Sequence, residues 1–259
     1  MDEFERHFAA CNNARLPGER LPLRIGAGLI GWVRPEMAQE LRQFAGVLVA
    51  PNAVTLLPEA TDGLQDIAQT LSERGHFRWR REAFDVRAGA SGPVLAQLDR
   101  GALPAFGVLA HGVHMNGLVR RPNGLHLWVA RRSPTKQLDP GKLDHIVAGG
   151  VGAGMTPLET LVKEAGEEAA IPPELAAQAV PVGGIGYAME RPEGLRRDLL
   201  HCFDLELPED FVPSAADGEV ESFELWPIGQ VLETVRQTDD FKFNVNLVLV
   251  DLFRRLRMI

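Results

Sequence analysis

Apolar residues recur along this chain with two periods, and the change from one to the other marks its organisation. Leu64, Ile67, Ala68 and Leu71 fall on one helical face, which predicts a helix over Asp62–Arg74 with Thr61 as N-cap and Gly75 as its stop. Pro35 opens another over 35–41, because a proline at the first helical position gives up only an N–H that has no intrahelical partner. Phe77–Arg80 and Ala83–Val86 alternate apolar and polar positions as strands do. Residues 88–93 are rich in Gly, Ala, Ser and Pro, and Pro104 follows. A boundary is therefore expected between Gly89 and Pro104, giving a smaller α/β unit over 1–103 and a second unit over 104–259.

The second unit opens with strands. Val113–Arg120 and Leu125–Arg131 flank Asn123-Gly124, a hairpin signal. A short apolar strand over His145–Ala148 runs into a glycine-rich loop, 149–154. Thr156-Pro157-Leu158-Glu159 then reads as a capping box with proline at the first helical position, opening a helix to about Ala169. Val182–Met189, Leu199–Glu206 and Glu221–Pro227 read as strands, and Ile228–Gln237 and Asn244–Arg257 as helices.

Composition narrows the function classes. The chain of 259 residues is 45% hydrophobic and 24% charged, as globular domains are. It has no apolar run long enough for a membrane span, and charged residues within Met1–Asn13 argue against a signal peptide. Two cysteines cannot staple a chain of this length, so Cys11 and Cys202 are expected to be reduced thiols in the cytoplasm. The net charge of −8 argues against binding a nucleic-acid polymer. That charge is localised. Residues 141–221 hold 16 Asp and Glu against 5 Lys and Arg, as either a solvated face or a site for divalent cations.

The helix after the glycine loop decides between these. Glu164, Glu167 and Glu168 stand at i, i+3 and i+4 and share one face. Their repulsion costs a helix a few tenths of a kcal/mol per pair, whereas a hard divalent ion takes carboxylate oxygens together with substrate phosphates. Gly149, five residues, Met155, seven residues, then Lys163-Glu164-Ala165-Gly166-Glu167-Glu168-Ala169-Ala170-Ile171 resembles the Nudix box, G-x5-E-x7-R-E-U-x-E-E-x-G-U with U aliphatic. The spacing matches throughout, and three positions depart: Met155 for Glu, Lys163 for Arg and Ala170 for Gly. Without the carboxylate, a bidentate guanidinium has no partner, so lysine is consistent with Met155. A left-handed helix end at Ala170 costs about 1 kcal/mol.

Further segments, 112–117, 142–150, 204–208, 217–223 and 241–244, are similar to one Nudix subfamily, described as thiamine pyrophosphokinase-related and carrying an N-terminal DUF4743 domain. No Walker-type phosphate loop is present, so kinase chemistry is not implied. The resemblance implies a Nudix α/β/α sandwich with a mixed sheet, preceded by the smaller α/β domain. It implies Mg²⁺-dependent hydrolysis of a diphosphate linkage, with Mn²⁺ an alternative ion and a homodimer compatible. Thiamine diphosphate or its oxidised analogues are the substrate candidates, giving the monophosphate and phosphate. A nucleoside-diphosphate-linked substrate, or a catalytically weakened binding module, are the alternatives. The metal set implied is Glu164, Glu167 and Glu168 with the backbone of Ala148 or Gly149, and Glu219 or Glu221 as a further carboxylate, with Glu221 preferred. Gly149, Met155, Lys163 and Ala170 form the box scaffold. Asn116, His114, Lys142 and Arg131 are substrate-binding candidates, and Arg120, Arg132 and Lys136 flank the hairpin as further cations. Trp128 and Phe106 are expected in the core, His111 in packing or hydrogen bonding, and Cys202 buried in a strand.

Overall fold

Glycine and proline divide the chain into short elements that pair locally, and the pairing builds two sheets and a separate hairpin. The structure is a computed structural model and describes residues 3–136, 138–215 and 218–259. Helix α1 (Glu5–Cys11) leads into β1 (Leu21–Ile25), β2 (Gly28–Val33), α2 (Pro35–Leu41), β3 (Val47–Ala50) and β4 (Ala53–Leu56). Next come α3 (Pro58–Asp62), α4 (Leu64–Glu73), β5 (Ala83–Arg87), β6 (Val94–Asp99) and α5 (Leu103–Phe106). The first sheet has the order β2-β1-β4-β3, with β1 and β4 parallel and the outer pairs antiparallel. Its core gathers Leu23, Ile30, Leu56, Leu71, Phe84, Leu98 and Phe106.

The second sheet is built from β7 (Leu109–Arg121), β8 (Gly124–Arg132), β9 (Leu143–His145) and β10 (Val147–Gly150), then β11 (Val180–Arg191), β12 (Gly194–Glu206) and β13 (Val220–Pro227). Its order is β11-β12-β7-β8-β13, with β10 on β7 and β9 on β8; β12 and β7 are parallel, so the sheet is mixed. Helix α6 (Pro157–Ala169) covers one face over Val113, Met115, Leu161 and Ala165, with α7 (Pro173–Ala176) behind it. Helices α8 (Ile228–Gln237) and α9 (Val245–Arg255) cover the other. The result is the α/β/α sandwich with a mixed sheet that the sequence implied, preceded by a smaller α/β unit. Helix α1 lies with the C-terminal helices: Phe4 packs beside Val231, Val235 and Phe253, and Arg6 donates to the carbonyls of Val235 and Thr238.

Several predicted elements appear as expected, among them α2 at 35–41 and α8 at 228–237. The helix predicted over 62–74 is α4 at 64–73, with Gly63 rather than Thr61 at its N-cap, because Thr61 and Asp62 end a separate short helix that Pro58 starts. Phe77–Arg80 is not a strand, although Arg80 donates its N–H to Asp99. Residues 88–93, where the expected boundary begins, connect β5 to β6 inside the N-terminal core, and β11 and β12 extend to a two-residue turn at 192–193. In the β7–β8 turn only Gly124 has positive φ, at 119°. Cys11 and Cys202 are free, buried thiols in one apolar cluster. Trp128 and Phe106 are core residues. Among the described residues no helix is long and apolar enough to cross a membrane.

The α6 capping box is complete: Glu159 N–H donates to Thr156 Oγ1 at 3.2 Å and Thr156 N–H to the Glu159 carboxylate at 2.8 Å. Thr156→Ala is expected to lower stability by about 1 kcal/mol and Thr156→Ser to leave it nearly unchanged, read as the midpoint of urea unfolding.

Candidate active site

Strand β10 ends at Gly149-Gly150, and α6 lies across it. A Cβ on Gly149 would stand 2.6 Å from Cγ and Cδ of Glu164, so the missing side chain is what lets that carboxylate reach the strand. One turn on, Glu168 accepts the Ala148 N–H at 2.9 Å. Glu167 projects outward, half exposed, and takes the Lys163 ammonium at 2.5 Å; the same lysine reaches Glu164 at 3.2 Å. The structure thus brings Glu164, Glu167, Glu168, Ala148, Gly149 and Lys163 together. Ala170 closes the helix with φ 53°, a left-handed end. Met155 lies apart from the carboxylates, beside a cleft of about 150 Å³ that it lines with Phe84, Asp85 and Arg87.

A water-sized cavity of about 10 Å³ adjoins this face, lined by Ala148, Glu168, Lys136, Glu219, Asp144 and Arg132, among others. Glu219 ion-pairs with Lys136 there. Glu221 stands exposed at a β-bulge and does not line the cavity, so of the two late carboxylates Glu219 is the one beside Glu168. Burial pushes the Glu168 carboxyl up to about 8; Asp144 and Glu164 add to this, while the Ala148 N–H and Lys136 oppose it. Burial also lowers the pKa of Lys136, against the pull of Glu168.

The other predicted contacts lie elsewhere. His114 and Asn116 are buried: His114 Nδ1 meets His145 Nδ1 at 2.9 Å, and Asn116 donates to Asp204 at 2.8 Å. Neither reaches the surface. Arg131 donates to the Gly141 carbonyl at 3.0 Å and Lys142 to that of Asp239. Arg120 pairs with Glu206 on the surface. His111 hydrogen-bonds His201 at 3.0 Å, with the rings stacked.

Sequence reading missed the charged layer behind this face. Asp144 pairs with Arg132 at 2.6 Å and with buried Lys242 at 3.6 Å. Burial alone would raise its pKa, but Lys242 and its neighbours hold it well below the carboxylate range. The available signal was a lysine between aromatics in Phe241-Lys242-Phe243. Atoms of Asp144, His114 and His145 lie within 4.8 Å of one another, a spacing compatible with a metal. Two fixed cations already neutralise Asp144, however, whereas the α6 face holds three carboxylates against one lysine, so charge favours α6 for a dication.

A profile of the NUDIX domain matches residues 110–246, and one of a domain of unknown function, DUF4743, matches 3–110. Nudix hydrolase 20, chloroplastic, of Arabidopsis thaliana is 38% identical over 269 residues, covering 97% of this chain and 72% of that one. The chain belongs to the Nudix hydrolase family. Nudix hydrolase 24, chloroplastic, of the same plant is 38% identical over 248 residues, covering 92% and 68% of the two chains. A crystal structure from Deinococcus radiodurans shares the fold with TM-score 0.50 and 24% identity, over 67% of this chain and 98% of that one. Membership makes the protein a pyrophosphohydrolase of the type that uses a divalent metal. The donor set fits one, because a hard ion takes carboxylate and carbonyl oxygens, and both meet where α6 crosses β10.

The raised Glu168 pKa fixes a sign. A carboxyl whose folded pKa exceeds its unfolded value contributes stability that is full below the unfolded value and lost as pH rises through the folded one. Metal-free protein is therefore expected to lose stability between about pH 5 and 8, and Glu168→Gln to flatten that slope, as urea midpoints across the range would show. Asp144 has the opposite sign. Its contribution is full above the unfolded carboxylate pKa of about 4 and lost in acid, and Asp144→Ala is expected to cost about 3–5 kcal/mol at neutral pH by stranding Arg132 and Lys242.

Proposed function

We propose that this Nudix hydrolase cleaves the diphosphate of thiamine diphosphate, or of its oxidised analogues, to the monophosphate and phosphate with Mg²⁺. The observation that carries the chemistry is the packing of Glu164 over side-chain-free Gly149 and of Glu168 on the Ala148 N–H. Support for the substrate is the similarity of residues 112–117, 142–150, 204–208, 217–223 and 241–244 to the thiamine pyrophosphokinase-related subfamily; of these, Asp217 lies outside the described residues. The two buried free thiols agree with a reducing compartment such as the cytoplasm, although both plant relatives are named chloroplastic.

In this reading Glu164, Glu167 and Glu168, with the Ala148 carbonyl, hold Mg²⁺ or Mn²⁺, and Glu219 in place of Glu221 adds a carboxylate across the cavity. The ion supplies charge neutralisation on the diphosphate and a bound water of lowered pKa. Glu164, fixed over Gly149, orients the attacking water and accepts its proton. Lys163 pairs with both Glu167 and Glu164 and holds the two carboxylates near one another. Lys136, beside Glu168 on the cavity, offsets phosphate charge, whereas Arg131 and Lys142 are held by the Gly141 and Asp239 carbonyls and do not line it. His114 and Asn116, buried within β7, tie it to His145 and Asp204 instead of touching the ligand.

Phosphate release with Mg²⁺ from thiamine diphosphate, its oxidised analogues and a panel of nucleoside-diphosphate compounds tests this. The thiamine compounds are expected to give the highest kcat/KM. A nucleoside-diphosphate compound turned over tenfold better would reject the thiamine assignment and leave the Nudix chemistry standing. Glu164→Gln is expected to slow turnover by roughly two to four orders of magnitude with the fold retained. Ligand binding without turnover by the unaltered protein would favour the binding-module reading.

A further inference from the structure

The glycine loop is held from two sides. Of its backbone amides, Val151 donates to His111 of β7 at 2.9 Å and Met155 to Gly152 within the loop at 3.1 Å. Two others leave the Nudix domain: Ala153 N–H donates to the Ala83 carbonyl at 2.8 Å, and Gly154 N–H to Asp85 Oδ1 at 3.3 Å, both on β5. Between these acceptors sits Phe84, whose ring backs Gly150 so closely that a Cβ there would stand 2.5 Å from its Cζ. The hairpin is itself anchored. Phe84 is 3% exposed in the N-terminal core beside Val86 and Leu98, and Asp85 is fixed by Arg87 at 3.0 Å. Within the domain no charged pair ties the loop to α6 through these positions, since Met155 carries no charge and Lys163 is occupied by Glu164 and Glu167.

We propose that the β5–β6 hairpin of the N-terminal unit is a positioning element of the hydrolase site, holding loop 149–155 from outside so that Ala148 and Gly149 face the α6 carboxylates. This rests on the α6 face being the metal site. Gly149 and Gly150 are consecutive: one receives Glu164, the other receives Phe84, and displacing the second moves the first. The hairpin thereby makes the N-terminal unit part of the catalytic apparatus without touching substrate. Asp85 and Phe84 are its positioning residues.

The test uses the full chain with paired variants. Gly150→Ala drives a methyl into the Phe84 ring, and Phe84→Leu removes the atom it meets, so the double variant is expected to recover what Gly150→Ala alone loses. Asp85→Ala removes the acceptor for Gly154, while Asp85→Asn keeps an oxygen there. Hydrogen exchange of the 149–156 amides in metal-free protein reads the loop, and calorimetric Mn²⁺ binding reads the site. Gly150→Ala and Asp85→Ala are expected to speed exchange at 153–154 and weaken Mn²⁺ by about 10-fold or more, lowering kcat more than KM. Asp85→Asn and the double variant are expected to stay near the unaltered protein. Unchanged exchange in both damaging variants, or faster exchange with unchanged Mn²⁺ affinity, overturns the proposal. The exchange measurement needs neither metal nor substrate, so a failed substrate assignment is distinguishable from a failed positioning role.

Discussion

Two consecutive residues without side chains govern the arrangement of this protein. At Gly149 and Gly150 a Cβ would come within 2.6 and 2.5 Å of Glu164 and Phe84, far inside van der Waals contact. Because nothing projects from that strand end, α6 lies low enough for Glu168 to accept the Ala148 N–H, and the N-terminal hairpin closes from the other side. β10 can be so thin there because β7 supplies its own glycine opposite, Gly112 pairing with Gly150. Helix α6 and the N-terminal unit are thus registered against one short piece of backbone.

Charge is handled differently on the two sides of that backbone. Asp144 is buried with Arg132 and Lys242 close by, so its charge is matched within the protein, and removing it would leave cations stranded. Glu168 is nearly as buried, yet its surroundings include Asp144 and Glu164, with Lys136 shared with Glu219. Its carboxyl rises accordingly, the response expected of a buried acid among like charges. A dication on the proposed α6 site would reverse that imbalance, whereas at the His114–Asp144–His145 cluster it would meet an aspartate already matched by two cations. The net charge of −8 accordingly describes the chain without its ion.

What the sequence disclosed followed from local physics. The capping box, the 3.6-residue spacing of the three glutamates and the left-handed end at Ala170 depend on neighbours within a few residues, and all appear in the structure. The early strands over 21–33 and 47–56 gave no clear pattern because they are short and half-buried, and their pairing brings β1 beside β4 across an intervening helix. Likewise, His114 and Asn116 are ligand-contact candidates through the segment 112–117 that carries the resemblance, and nothing local to that segment reports their burial. Only tertiary packing under α9 and beside Asp204 reveals them as internal. The Phe84–Gly150 contact spans 66 positions, and no spacing rule within one element reports it.

The departures from the box are explicable one at a time. Ala170 takes φ 53° at a cost of about 1–2 kcal/mol for a residue with a Cβ. That strain is offset because the turn satisfies Ala165 through the Ile171 N–H at 3.0 Å and Ala169 through Ser214 at 3.2 Å, and it buries Ile171. Lys163, freed of any carboxylate at 155, spends its charge on Glu164 and Glu167, lowering the repulsion that three glutamates on one face would otherwise impose. Met155 packs on the core beneath α6 and lines a cleft with Phe84, Asp85 and Arg87, where a thioether fits and the charge of Asp85 is already paired with Arg87 at 3.0 Å. The substitution at 155 therefore agrees with an N-terminal unit standing against the loop.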